Sequence, residues 1–287
     1  MSELKHQLQK CRDGGGIVLN LSGLQEITKL DCVLEFPNLQ ELYIPFTQVT
    51  DLTPLANLSQ LRELHCEVTP ISDLSPLANL SHLELLYCFR THVTDLSPLS
   101  NLTQLKRLWC SYTRIKDLSP VTKMSRLISL DCTDTDIYNL EPLRHLTELQ
   151  TLDFSFTNVT DLTPLSNLIE LKDLYFDNTE VNDLTPIVKL TKLMRLICSY
   201  TQVSDLTPVS AMTQLEMIGL GNTHVTDLSP LTNLTKLDTI YCSRTKLTNL
   251  QPLGNLVNLL ELHLYGTQIT DFSALDHLIK NGLVIYK

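Results

Sequence analysis

The stretch LWCSYTRIKDLSP, residues 108–120, contains the pattern that decides the fold. Leu108 and Cys110 lie two residues apart, which is the periodicity of a strand that turns both side chains to one face. Ser119 and Pro120 are typical of a helix start, with Ser at the N-cap and Pro at the first helical position. The stretch therefore predicts a short strand, a turn and a brief helical turn of the 3-10 kind.

The same pattern recurs every 22 residues, in eleven copies without an insertion. Ser or Thr fills the predicted N-cap in nine copies, and Pro follows it in ten. A fixed period of this length predicts one solenoid, in which each copy buries the apolar side of its neighbour, and not two globular domains. The polar residue of the D-L-S/T-P segment marks the copies: Asp51, Asp73, Asp95, Asp117, Asn139, Asp161, Asp183, Asp205, Asp227, Asn249 and Asp271.

On these residues the chain resembles the leucine-rich repeat family, and most closely its bacterial internalin-like class, over about residues 39–275. The resemblance implies an α/β fold: a right-handed solenoid with a parallel sheet on its concave face and short 3-10 or α turns on its convex face. Two departures stand out. The family usually has Asn where this chain has an unbroken column of Thr, from Thr47 to Thr267. The signal peptide, immunoglobulin-like neighbour and surface anchor of internalins are not visible, so we expect that their adhesin role does not carry over.

Three segments are predicted along the chain. Residues 1–38 form an N-terminal cap, with a helix over 2–11, a glycine turn at 14–16, a strand over 17–21 and an irregular first repeat. Residues 39–270 form the regular repeats. Residues 271–287 form a C-terminal cap, with a helix over 272–280, a C-cap at Gly282 and a strand over 283–285. An uncovered last strand leaves an unpaired sheet edge, which favours a weak end-to-end dimer of an otherwise monomeric protein.

Composition excludes several classes. The net charge of -10 disfavours nucleic acid and anionic membranes as partners, because both require clustered Lys and Arg. No apolar run is long enough to span a bilayer, and the N-terminus lacks the apolar core of a secretory signal. We expect a cytoplasmic protein or, as an alternative, one delivered into a host cell without a signal peptide.

The cysteines and threonines are interpreted as structural. Six of the eight cysteines occupy one repeat position, which holds Ile, Leu or Phe in other copies. We therefore predict free thiols packed as small apolar groups in a reducing compartment, in preference to disulfides or a metal site. The threonine hydroxyls are predicted to hydrogen-bond to backbone groups of their own turn and of the neighbouring turn.

The strand face opposite the core differs from copy to copy. Eleven of the chain's aromatic residues fall on it, and aromatic and Arg side chains are typical anchors of protein interfaces. Ring stacking that stabilises the sheet is the alternative interpretation. The predicted partner-binding residues are Tyr43, Phe46, Tyr87, Phe89, Arg90, Arg107, Trp109, Tyr112, Asp131, Asp134, Asp153, Phe156, Asp173, Tyr175, Asp177, Arg195, Tyr200, Tyr241, Arg244 and Tyr265.

Two features of this face leave alternatives open. Five aspartates in consecutive copies, Asp131 to Asp177, favour a basic segment of the partner, although a solvated acidic patch and a calcium site are alternatives. Gly219 and Gly221 form a notch for the partner or relieve crowding within the sheet.

No catalytic pattern stands out. His65 and His263 lie many copies apart, and the sequence has no HExxH, GxSxG, CxxC or phosphate-loop motif. The sequence thus predicts a non-enzymatic scaffold, without cofactor or metal, that binds a partner protein through its aromatic and acidic face. A virulence effector that binds a host protein, or an accessory subunit that directs a separate enzyme, is the alternative.

Overall fold

The structure, a computed structural model, describes residues 3–287, which fall into two compact units that divide between Ile137 and Tyr138. Both units are built from the predicted repeat. Within each unit every strand pairs in parallel with the next strand along the chain, in a register that aligns equivalent residues, as between Leu86 and Leu108.

The first unit begins with helix α1, Glu3–Asp13, and contains six three-residue strands among its described residues. A 3-10 turn follows each of the first five strands. The strands are β1 Val18–Asn20, β2 Glu41–Tyr43, β3 Glu63–His65, β4 Leu85–Tyr87, β5 Arg107–Trp109 and β6 Ser129–Asp131. The 3-10 turns are Asp31–Glu35, Thr53–Leu55, Ser75–Leu77, Ser97–Leu99 and Ser119–Lys123.

The second unit contains seven further strands and ends with a short helix, α2, Asp276–Lys280, before the last of them. The strands are β7 Thr151–Asp153, β8 Asp173–Tyr175, β9 Arg195–Ile197, β10 Met217–Gly219, β11 Thr239–Tyr241, β12 Glu261–His263 and β13 Val284–Tyr286. The 3-10 turns are Glu141–Leu143, Thr163–Leu165, Thr185–Ile187, Thr207–Ala211, Ser229–Leu231, Gln251–Leu253 and Ser273–Leu275.

The core consists of columns that repeat in every copy. Leu108 at the middle of β5 and Cys110 two residues later have no exposed surface. The cysteine column is buried, as predicted, and the other copies place Phe154, Phe176 or a branched aliphatic residue in the same slot. Burial raises the pKa of the Cys242 thiol to about 12, so this thiol stays neutral and inert. The predicted parallel solenoid with 3-10 turns is confirmed.

The predicted helix start was wrong in detail. Leu118 occupies the N-cap of the Ser119–Lys123 turn, and Ser119 is its first residue. The capping group is the preceding aspartate: Asp117 Oδ1 accepts the Ser119 backbone N–H at 2.8 Å. The equivalent Asp or Asn makes this bond in all eleven copies, because its short side chain reaches the backbone two residues on.

The threonine column closes the turn that follows each strand. Each hydroxyl donates to the backbone carbonyl three residues earlier, as Thr113 does to Cys110 at 2.6 Å. The bond occurs in all eleven copies and stays within its own turn, so the predicted bond to the neighbouring turn is not made. The column is a backbone support, as expected from its burial.

The two ends resemble their predicted forms, with shifted boundaries. The first helix extends to Asp13, beyond the predicted residue 11, and Arg12 forms an ion pair with Glu35; Ser2, the predicted start, lies outside the described residues. At the other end the predicted helix is a 3-10 turn followed by α2. Asn281 is the C-cap of α2, and Gly282, the predicted C-cap, is the next residue, with a φ of 108°. The three predicted segments of the chain remain a prediction.

Candidate partner-binding face

Side chains at the first and third position of each strand lie opposite the core. Together with the second and third residues after the strand they form what we call the open face. None of the twenty predicted partner-binding residues is buried. Ten are exposed: Phe46, Arg90, Arg107, Tyr112, Asp134, Phe156, Arg195, Tyr200, Arg244 and Tyr265. Ten are half-buried: Tyr43, Tyr87, Phe89, Trp109, Asp131, Asp153, Asp173, Tyr175, Asp177 and Tyr241.

Four consecutive strands of the first unit carry a ring at their third position. We call these four residues the ring ladder: Tyr43, His65, Tyr87 and Trp109. Neighbouring ring centroids are 4.4, 4.6 and 4.3 Å apart, and only the middle pair is edge-on. The Trp109 indole Nε1–H donates to Ser129 Oγ at 3.1 Å. Stacking at these distances stabilises the sheet, so the folding interpretation accounts for the ladder.

A second column has no such explanation. The residue before each threonine adopts a left-handed backbone conformation in every copy, with φ between 52° and 59° at the ten that are not glycine. We call these residues the left-handed column: Phe46, Val68, Arg90, Tyr112, Asp134, Phe156, Asn178, Tyr200, Asn222, Arg244 and Gly266. This conformation costs an L-residue roughly 1–2 kcal/mol and is tolerated best by Gly and Asn. This conformation was not predicted, because most of these positions hold residues that avoid it.

Trp109, the last ring of the ladder, and residues of the left-handed column line a shallow groove in the first unit. Its volume is about 310 Å³. Arg90 Cζ lies 4.7 Å from the centroid of the Tyr112 ring, which is cation–π geometry. The groove is lined by Phe46, Val68, Phe89, Arg90, Trp109, Ser111, Tyr112 and Asp131. We call it the aromatic groove.

Most of the predicted acidic residues have partners within the protein. In the first unit, Asp131 accepts the Thr133 backbone N–H at 3.0 Å and the Ser111 hydroxyl at 2.9 Å. Asp134 belongs to the left-handed column and is exposed.

In the second unit the same holds for three aspartates. Asp153 accepts the Ser155 backbone N–H at 2.9 Å. Asp173 forms an ion pair with Arg195 at 3.1 Å, and Asp177 accepts the Ser199 backbone N–H at 2.6 Å. Burial raises the pKa of Asp177 to about 6, against the opposing effect of its hydrogen bonds to Ser199. These contacts give the aspartates a structural use.

The two glycines of the second unit differ from each other. A Cβ on Gly219 would lie 2.8 Å from Ile197 Cγ2, whereas one on Gly221 would meet nothing closer than 3.5 Å. Gly219 therefore relieves crowding. Gly221 leaves open space, in a hollow of about 300 Å³ beside Tyr200 and Tyr241.

The predicted partner-binding set leaves out several residues of the open face. His65 and His263 are members of ring stacks: His263 lies 4.5 Å from Tyr241 and 4.3 Å from Tyr286, centroid to centroid. Glu41, Glu63 and Glu67 also lie on this face. The repeat register could have identified them: Glu41 and Glu63 occupy the repeat position of Arg107, and Glu67 occupies that of Ser111.

Comparison with known proteins agrees with this architecture. The leucine-rich repeat family model matches residues 37–79, 81–123 and 235–277. Internalin InlF of Listeria monocytogenes shares 27% identity over 100% of this chain and 94% of its own, with a TM-score of 0.86. Internalin C2 of the same organism shares 31% identity over 65% of this chain and 82% of its own, with a TM-score of 0.62.

A third structure shares the fold alone. The functional domain of InlJ from Listeria monocytogenes, described as including a cysteine ladder, is 20% identical over 93% of this chain and 72% of its own, with a TM-score of 0.64. No curated protein sequence matches the chain. The repeats, the sheet and these likenesses establish the family: the chain belongs to the leucine-rich repeat proteins, in their bacterial internalin-like class. Its fold is that of protein-interaction scaffolds.

Residues 3–287 contain no helix long and apolar enough to cross a membrane. Among the same residues, no three His, Cys, Asp or Glu side chains are grouped so that they could hold a metal ion.

Proposed function

We propose that this chain binds a partner protein through its open face, with the aromatic residues of the first unit as anchors. The left-handed column carries the proposal. Phe46 and Tyr112 are 55% and 46% exposed, so neither gains the full stabilisation of burial, and both adopt a backbone conformation that Asn or Gly tolerates better. An exposed ring held at such a cost is explained by a contact that forms on binding.

The likeness to interaction scaffolds supports the proposal. One structure of the same fold, the ectodomain of the plant receptor kinase GASSHO1/SCHENGEN3 from Arabidopsis thaliana, was solved in complex with CASPARIAN STRIP INTEGRITY FACTOR 2. It is 23% identical and covers 83% of this chain and 31% of its own, with a TM-score of 0.74.

The proposal is compatible with three biological roles: a cytoplasmic scaffold or inhibitor, an effector that binds a host protein, and an accessory subunit of an enzyme. The identity of the partner decides among them. A basic partner segment facing Asp131, Asp134, Asp153, Asp173 and Asp177 stays a prediction, and the internal contacts of these carboxylates lend it little support.

The test compares partner capture by immobilised wild type, Phe46→Ala and Tyr112→Ala. Tyr138→Ala is the matched control, because Tyr138 is a 68% exposed ring outside the open face. We expect the first two variants to bind the captured partner at least about 10-fold more weakly, with unchanged thermal unfolding, and the control to bind as wild type does. Equal affinities for all four proteins would contradict the proposal.

A further inference from the structure

Three glutamates lie on the open face of the first unit, on and just after β2 and β3. Glu41 and Glu63 are paired directly across these strands, where like charges destabilise a sheet. Glu41 accepts the Tyr43 hydroxyl at 2.9 Å, and Glu63 lies 3.9 Å from His65 Nε2. No Lys or Arg between residues 3 and 287 forms an ion pair with these glutamates.

Glu67 is the third member of the group. Its Oε2 atom is buried and has no hydrogen-bond partner among the described residues. A carboxylate oxygen without a donor destabilises the fold, and the Glu67 side chain as a whole is only half-buried, so its carboxylate can gain a bond by turning toward a group that reaches the open face.

The surroundings leave this negative charge without compensation. Burial raises the pKa of Glu67. The pKa of Glu63 is also raised, most by burial and then by the nearby carboxylates of Glu41 and Glu84. Burial lowers the pKa of His65, so its ring is neutral at pH 7 and does not offset Glu63. Arg107 lies two strands away and has a smaller effect on Glu63 than burial or the two carboxylates.

One of the three glutamates, Glu67, adjoins the aromatic groove. Glu67 directly precedes Val68, a lining residue, and its backbone carbonyl accepts the N–H of Phe46, another lining residue, at 3.3 Å. Glu41 and Glu63 are on the strands that carry the first two rings of the ladder. An Arg or Lys side chain suits this arrangement, because its apolar stem packs on ring faces while its charged head reaches carboxylates.

From this charge complementarity we infer that the aromatic groove receives a basic segment of the partner, with its Arg or Lys head groups placed on Glu67 and on the Glu41 and Glu63 pair. The inference rests on the proposed function and names the chemistry of the partner. It locates the basic segment on the glutamates of β2 and β3, whose carboxylates lack cationic partners, and not on the aspartates, whose carboxylates are mostly engaged.

The experiment uses Trp109, the chain's single tryptophan, whose indole N–H gives one resonance beside the groove. Three acetylated, amidated pentapeptides are titrated into the full chain. One is Leu-Arg-Leu-Arg-Leu, the second has uncharged citrulline in place of Arg, and the third has Glu. We expect the Arg peptide to shift the resonance saturably and to bind about 10-fold more tightly than the citrulline peptide.

Variants then assign the effect to the glutamates. Combined Glu41→Gln, Glu63→Gln and Glu67→Gln substitutions should weaken Arg-peptide binding to the citrulline level. Glu26→Gln removes a charge from an exposed residue outside the strands and should change nothing. The triple variant should also unfold at a higher temperature, which shows that it folds.

Four outcomes would overturn the inference: equal affinity for the Arg and citrulline peptides, preference for the Glu peptide, no saturable shift at millimolar peptide, or a shift that follows protein concentration alone and so reports a second copy. If Tyr112→Ala loses the natural partner while the peptides give any of these four outcomes, the proposed function stands. Only the inference that the partner presents a basic segment is then refuted.

Discussion

The open faces of the two units differ although their cores follow one pattern. The first unit has a ring at the third position of four consecutive strands, and its left-handed column contains neither Asn nor Gly. In the second unit, Ile197 and Gly219 interrupt the rings, and the left-handed column includes Asn178, Asn222 and Gly266.

The carboxylates of the two units differ as well. Asp153, Asp173 and Asp177 of the second unit bind backbone N–H groups or Arg195, whereas Glu41, Glu63 and Glu67 on the open face of the first unit have no Lys or Arg partner among the described residues. In a repeat scaffold the residues of the face are free of the core pattern, so we use departures from local preference to choose where a binding site is sought. By this measure the first unit is the stronger candidate for the binding site.

The largest effect is expected at Gly219 in the second unit. A Gly219→Val substitution should lower the free energy of unfolding by about 1–3 kcal/mol, because its side chain would overlap Ile197. Urea denaturation measures the change. Gly221→Ala should stay within about 0.5 kcal/mol. Equal losses at both positions would show that the whole notch serves packing, and the contrast between the two glycines would fail.

An exchange along the left-handed column compares the units directly. Phe46→Asn should stabilise the protein by about 1 kcal/mol, because Asn tolerates this conformation better and the Phe46 ring is largely exposed. Asn178→Phe should destabilise it by a similar amount. Urea midpoints of both variants test this. Destabilisation by Phe46→Asn would mean that the ring supports the fold, which would remove the main support for the binding site.

The pH dependence of stability should reflect the carboxylates of the second unit. The pKa of Asp177 is raised to about 6, above its unfolded value, so the folded state binds this proton more tightly. Stability should therefore increase as the pH falls from 7 to about 5, by about 1 kcal/mol after allowance for solvent exposure. Asp177→Asn should remove this rise in denaturation curves recorded at both pH values. A wild-type stability that is flat from pH 7 to 5 would contradict it.

The smallest effect concerns the capping aspartates, which both units share. Hydrogen bonds from the Thr207 hydroxyl and backbone N–H lower the pKa of Asp205 in the folded protein. Ionised Asp205 therefore stabilises the fold fully above the pKa of an unfolded carboxyl group, about 4. This stabilisation is lost as the pH falls through the lower pKa of the folded state. Asp205→Ala should lower the unfolding temperature slightly at pH 7. Asp205→Asn should be nearly neutral, since Asn139 and Asn249 make the same bond. Thermal unfolding at pH 7 distinguishes the two.

Much of the fold could be predicted because its signals are local and repeated. Leu108 and Cys110 gave the strand, and Ile, Leu and Phe at the Cys110 position in other copies identified that slot as core. The N-cap was misassigned because Asp117 and Ser119 both suit a helix start, and only the backbone path shows which one meets the free N–H. The exposed rings were predicted from strand alternation, but their division into a stacked ladder and a left-handed column was not.

The sequence by itself determined the repeat, the core columns and the side of the sheet that faces away from the core, because residues 22 positions apart must occupy equivalent places. Only the tertiary structure decided which face residues are committed internally. The partners of Asp173 and Asp177, the crowding at Gly219 and the unpaired oxygen of Glu67 depend on contacts between different copies. Such contacts follow from the distance between strands and the direction of each side chain, which the order of residues alone does not give.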